Sequence, residues 1–187
     1  MNRRHLALFL LIVLVAVVVL IPLSGILNPQ SQRIQFTKIG ELDIGYAERL
    51  DVEGDMVYVI ERSEPTARGL VIVDASNLTD PVEVGSFNDG GIPWMVDVDD
   101  CIAYIANWQD GLEIVDVSDP TNPEKVGEYV GSGEVFDVQI IGDIAYVADR
   151  NDGLTILDVS DPTDPVYLGG YDIMGACYHV HVFGDVA

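Results

Sequence analysis

The chain has 187 residues and carries 31 acidic against nine basic side chains, which gives a formal net charge of −22. A surface this acidic repels phosphate backbones and anionic lipid headgroups, so nucleic acid is excluded as a partner. It attracts cations and basic partners instead. The length suffices for one domain of ordinary size together with a targeting segment.

The N-terminal segment 1–25 predicts a helix that enters a membrane. Arg3 and Arg4 precede an unbroken apolar run from Leu6 to Ile21, and this order of charge and hydrophobicity is typical of export signals. The run is long for the core of a cleaved signal, and no small-residue cleavage motif follows it. We therefore predict a signal-anchor over residues 1–25, with a cleaved signal peptide as the alternative, and a linker over residues 26–34.

This segment predicts where the protein resides. Basic residues in front of an apolar segment stay on the cytoplasmic side, and the chain that follows is exported. We expect a cell-membrane protein with a cytoplasmic N-terminus and an extracytoplasmic domain. If the segment is cleaved, the protein is secreted.

The remainder of the chain repeats itself with a period of about 42 residues, which is within the range of repeats that each form one structural unit. The three copies read "GLVIVDASNLTDPVEVGSF" (69–87), "GLEIVDVSDPTNPEKVGEY" (111–129) and "GLTILDVSDPTDPVYLGGY" (153–171). Each repeat divides into four β-prone runs, which we call strands A to D, separated by glycine-aspartate or proline turns. In the middle repeat these strands are predicted at 94–98, 102–106, 111–117 and 124–129.

The repeat predicts an all-β fold. Strand C is apolar at nearly every position, which indicates a strand buried on both faces. Four antiparallel strands in each repeat are typical of β-propeller blades, which stack face to face around a channel. We predict a propeller region over 35–187, with a lone D strand at 35–42, blades at about 46–87, 93–129 and 135–171, and the start of a fourth blade at 177–187. Because propellers close with about four to eight blades, the ring is expected to be incomplete in this chain.

The segments "LVIVD", "LEIVD" and "LTILD" resemble the LVIVD repeat family. Each is followed by one variable residue, a serine and a proline turn. The resemblance covers residues 39–187. It implies β-propellers of bacterial and archaeal surface proteins, and it implies no particular reaction.

Functional residues are expected where the repeats differ, because a residue found in every blade serves the architecture. The D–A and B–C connections share one end of the blades, which we call the D–A/B–C face. Trp108 and Arg150 occupy equivalent positions in the B–C loops. An exposed indole beside a guanidinium predicts binding of a protein, peptide or glycan. The alternative is that Trp108 packs between blades with the Arg150 stem laid over it.

A second set of candidates lies on strand A, which borders the channel. Its polar positions include Asp97 and Asp137, which are predicted to bind a ligand, and His179 and His181, which are separated by a single residue. Two histidines near acidic side chains of neighbouring blades predict a divalent metal site. The alternative is a pair of channel histidines that hold no metal. No other cofactor and no catalytic residue is predicted.

We predict an exported, membrane-anchored β-propeller that acts as a binding, adhesion or scaffold module at the cell surface. The alternative is an extracytoplasmic hydrolase, lyase or oxidoreductase with its site in the central channel, with or without a metal. The sequence favours the non-catalytic role, because it contains no G-x-S-x-G, H-E-x-x-H or C-x-x-C motif.

Overall fold

The computed structural model describes residues 40–62, 69–131 and 134–183. The predicted signal-anchor, the linker, most of the lone D strand and the end of the fourth blade lie outside these ranges. Within the described residues, no helix has the length and hydrophobicity needed to cross a membrane.

The described chain forms three antiparallel sheets of four strands each, and the strands of every sheet pair in chain order. Blade 1 contains β1 (Ala47–Glu53), β2 (Met56–Glu61), β3 (Gly69–Asp74) and β4 (Val82–Phe87). Blade 2 contains β5 (Met95–Asp99), β6 (Ile102–Ala106), β7 (Leu112–Asp116) and β8 (Glu124–Tyr129). Blade 3 contains β9 (Val135–Ile141), β10 (Ile144–Asp149), β11 (Gly153–Asp158) and β12 (Val166–Tyr171). The prediction of an all-β fold with four-stranded blades is confirmed.

Neighbouring blades bury their faces against each other. One core cluster joins the B and C strands of blade 1, including Ile60 and Ile72, to Val96 and Ile105 of blade 2. A second cluster joins the opposite face of blade 2 to blade 3. Both faces of β7 are therefore covered, which explains why its sequence is apolar at successive positions.

The A strands of neighbouring blades are joined by side chains. Each A strand is an edge strand of its own sheet, so the amides on its free edge need an acceptor from elsewhere. The acceptor is a carboxylate or amide oxygen at the same position in the preceding A strand. Asp51 accepts the Val98 amide at 2.7 Å, and Asp97 accepts the Ile140 amide at 2.5 Å. Gln139, at the same position of blade 3, accepts the amide of Val182 at 2.6 Å, on the segment that follows this blade.

The D strands contact the next blade through a glycine. A Cβ added at Gly85 or Gly127 would collide with the main-chain carbonyl of Pro120 or Pro162, respectively, in the C–D turn of the following blade. Gly169 has the same position in blade 3, and no atom of the described chain lies within 4 Å of its Cβ direction. Glycine is thus required wherever a D strand crosses a neighbouring turn.

Substitution of these glycines tests the packing. We expect Gly127→Ala to lower the free energy of unfolding by about 1–3 kcal/mol, because the added methyl group overpacks the turn that contains Pro162. The matched control, Gly169→Ala, should change it by less than about 0.5 kcal/mol. Denaturant unfolding of the full chain in detergent measures both. Equal losses would show that strand propensity, and not the neighbouring turn, sets the requirement.

Candidate functional site

The structure brings Trp108 and Arg150 together at Glu134. Arg150 Nη1 lies 2.6 Å from Glu134 Oε2, and the Arg150 amide donates to the Glu134 carbonyl at 3.0 Å. The indole of Trp108 also interacts with the same carboxylate. The Arg150 guanidinium and then the Trp108 indole lower the pKa of Glu134 below its ordinary value. The two predicted ligand-binding residues therefore belong to one cluster on the D–A/B–C face, which we call the Glu134 cluster.

Trp108 is held by the neighbouring blade. Its backbone has φ of 49°, a left-handed conformation that is uncommon for a bulky residue. Two main-chain hydrogen bonds fix this conformation, from the Trp108 amide to the Val135 carbonyl at 3.0 Å and from the Val135 amide to the Trp108 carbonyl at 2.9 Å. Its side chain is half-buried. The backbone of Trp108 is therefore fixed against blade 3.

A row of contacting cationic and aromatic side chains crosses this face from blade to blade. The guanidinium carbon of Arg62 lies 4.0 Å from the ring centroid of Trp94. The ring centroids of Trp94 and Phe136 are 4.9 Å apart, and those of Phe136 and Tyr178 are 5.1 Å apart. Tyr178 also interacts with Arg150, whose pKa is raised mainly by Glu134. The row thus connects blade 1 to the Glu134 cluster.

Glu134 and Tyr178 are absent from the site predicted by sequence. The residue equivalent to Glu134 in the preceding repeat is Ile92, so the repeat offers no acidic counterpart that would draw attention to it. Tyr178 shares its position with Trp94 and Phe136, and that shared aromatic character indicates packing. The difference between Glu134 and Ile92 is itself a signal, because it is a difference between repeats in a D–A connection.

The structure places Asp97 and Asp137 between the A strands. Asp137 is 7% exposed, and its two carboxylate oxygens accept the amides of Val138 and Val180, both at 3.0 Å. Asp97 accepts the amide of Ile140. Both side chains already serve the contact between blades, so a ligand in the channel would compete with main-chain donors for them.

His179 and His181 lie on the segment that follows blade 3. The Nδ1 atom of His179 is 3.4 Å from Asp137 Oδ2, and the His179 side chain is 74% exposed. His181 is also exposed. In the part of the chain that the structure describes, no group of three or more histidine, cysteine, aspartate or glutamate side chains is arranged to hold a metal. The metal site at these two histidines stays a prediction.

The titration of Asp97 generates a test of the contact between A strands. Burial, reinforced by the nearby Asp51 carboxylate, raises the pKa of Asp97 from 3.8 to about 6. A raised carboxyl pKa means that the fold favours the protonated form. Its contribution to stability is complete below about pH 4 and is lost as the pH rises through about 6.

We expect Asp97→Asn to unfold at a higher temperature than the native chain at about pH 7.5, because asparagine keeps an acceptor for the Ile140 amide and removes the buried charge. The difference should shrink as the pH falls towards about 4. Thermal unfolding between these pH values measures it, with the exposed turn residue Asp143→Asn as the control. An Asp97→Asn protein with the native pH profile would refute the assignment.

The family comparison agrees with this geometry. The family model described as the LVIVD repeat matches the chain three times, at residues 44–89, 90–130 and 132–173. These matches coincide with blades 1, 2 and 3. Comparison with curated proteins finds no match. Since the three matches cover more than half of the sequence and each corresponds to one four-stranded sheet, the chain belongs to the LVIVD repeat family and forms a β-propeller-like repeat domain.

Proposed function

We propose that the protein is an exported, membrane-anchored binding module that docks an extracytoplasmic partner on its D–A/B–C face. The observation that carries this proposal is the convergence of Trp108, Arg150 and Tyr178 around Glu134. Tryptophan, tyrosine and arginine are the residue types that dominate the energetics of protein interfaces. The Arg150 side chain is 44% exposed and Tyr178 is 45% exposed, so both are accessible to a partner.

The membrane part of the proposal is supported by the N-terminal segment 1–25 alone. Its basic start and apolar run favour a cytoplasmic N-terminus, a single anchor and an exported domain. The net charge of −22 argues against a partner with a phosphate backbone. The partner that we propose is an extracellular protein, peptide or glycan.

The enzyme alternative draws on one observation, the raised pKa of Asp97 beside Asp51. A carboxyl group whose pKa is raised beside a second carboxylate is found in many acid–base sites. Asp97, however, is already bonded to the Ile140 amide, and at the same position of blade 3 Gln139 bonds to the amide of Val182. The raised pKa therefore has an architectural explanation, and we favour the binding module.

Binding at the Glu134 cluster is testable with arrays of glycans and of tiled extracellular peptides. We expect Trp108→Ala and Arg150→Ala to weaken a ligand retained by the native chain by at least about tenfold. Arg49→Ala is the control, because it removes an exposed arginine from blade 1. Circular dichroism confirms that each variant is folded. Equal weakening by Arg49→Ala, or a native chain that retains nothing on either array, would contradict the proposal.

The anchor is tested separately in cells. Deletion of the segment 1–25 should move the protein from the membrane fraction to the soluble fraction, because the only long apolar run of the sequence is removed. Protease added to intact cells should digest the native chain and spare a cytoplasmic marker. Protection of the native chain from that protease would contradict export.

A further inference from the structure

The cleft between neighbouring blades at the D–A/B–C end occurs twice, and its first copy is filled by an ion network. Lys125 reaches back from β8 towards blade 1. Its Nζ atom lies 3.0 Å from Glu113 Oε1, 3.3 Å from Asp89 Oδ2 and 2.7 Å from Glu128 Oε2. A cavity of only about 10 Å³ remains beside Glu113 and Asp89, which is the space of a single water molecule. The chain's own ammonium group closes this cleft.

The second copy of the cleft, between blades 2 and 3, has lost every member of that network. At the equivalent positions of the next repeat, Asp89 becomes Gly131, Glu113 becomes Thr155, Lys125 becomes Tyr167 and Glu128 becomes Gly170. The result is a groove of about 630 Å³, within the size range of ligand sites in proteins. The second and third repeats thus differ at all four positions that close this cleft.

The side chains that line the groove suit a cation. Tyr129 and Tyr167 supply aromatic rings, and Asp152 and Asp172 supply carboxylates. No lysine or arginine is among the described residues that line it. Burial, together with Tyr167 and nearby aspartates, raises the pKa of Tyr129, so its hydroxyl stays neutral at physiological pH. Aromatic faces and carboxylates both attract an ammonium or guanidinium group, and both disfavour an anion.

The occupant is better described as part of a polypeptide than as a free amine. The groove is far larger than one lysine side chain, and its lining includes Leu154 and Val130, which is 62% exposed. These apolar groups offer contact to the residues that flank a basic side chain. The first cleft supplies the precedent, since there Lys125 of this same chain lays its stem between two blades and places its ammonium among carboxylates.

We propose that the groove between blades 2 and 3 binds a lysine or arginine side chain of a partner polypeptide, with its stem against Tyr129 and Tyr167 and its charge towards Asp152 and Asp172. This inference deepens the proposed function, on which it rests, by assigning a basic peptide as the ligand class of the D–A/B–C face. It concerns residues other than those of the Glu134 cluster, so the two are separable by mutation.

The test is a titration of the full chain in detergent with a blocked pentapeptide of alanines around a central lysine, followed by the amide resonances of Gly131 and Thr155. We expect saturable shifts, and binding at least about tenfold weaker for the norleucine analogue, which lacks the charge. Asp152→Asn should weaken binding. Asp110→Asn, the same change at the same loop position of blade 2, should not.

The decisive variant restores the missing network. The double substitution Thr155→Glu with Tyr167→Lys fills the groove with the chain's own ion pair and leaves the net charge of the protein unchanged. We expect it to abolish peptide binding while the protein stays folded. Binding that survives this variant, or that weakens equally with Asp110→Asn, would reduce the effect to general attraction by an acidic surface and overturn the proposal.

Two further outcomes are informative. If the norleucine peptide binds as well as the lysine peptide, or if a neutral oligosaccharide saturates the groove and the lysine peptide does not, the assignment to a basic side chain is wrong. Neither result affects ligand binding that depends on Trp108 and Arg150. Conversely, if the Glu134 cluster binds no ligand, the titration of the groove with the lysine peptide still tests this proposal.

Discussion

The structure depends on the bonds by which an A strand offers a side-chain oxygen to a main-chain amide of the next A strand. These amides lie on the free edge of an A strand and are partly buried. A buried amide left without an acceptor costs about 1–3 kcal/mol. Asp51 and Asp97 supply that acceptor at the two interfaces between blades, and Gln139 supplies it to the segment that follows blade 3. The apolar clusters on both faces of blade 2 provide the attraction between blades, and these bonds set the register in which the blades meet.

Much of the fold is predictable from the sequence, because turn residues and a fixed period mark every strand. In blade 2, the predicted B and D strands agree with β6 and β8, and the A and C strands differ by one residue at each end. The partners of polar side chains are not predictable in this way. Alternation assigns Asp97 and Asp137 to the channel side of strand A, but Asp97 accepts an amide of the following A strand and Asp137 accepts an amide of the segment after blade 3. Periodicity predicts which face of a strand a side chain lies on. It does not predict which hydrogen-bond donor the side-chain oxygen contacts, because that depends on the rotamer.

The candidate site is predictable only in part, for a related reason. Trp108 and Arg150 stand out as unlike residues at one position, and they meet at Glu134. The groove depends instead on four positions that differ together, on three separate strands or connections. Both features lie at the interface between blades 2 and 3, whereas the interface between blades 1 and 2 is closed by Lys125. Both candidate binding features are thus concentrated at one of the two interfaces between blades.

In each joint, one of the two contacting groups is a backbone atom. The amide of Val98 and the carbonyl of Pro120 are present whatever side chain those positions carry. Substitutions at these positions therefore leave the backbone group that the neighbouring blade contacts in place. A newly duplicated blade therefore arrives with edges that already fit any sister blade, provided that it keeps its own oxygen acceptor and its own glycine. Arrays of this kind change their number of units by gene duplication without redesigning an interface, and each added joint is free to acquire a separate specificity.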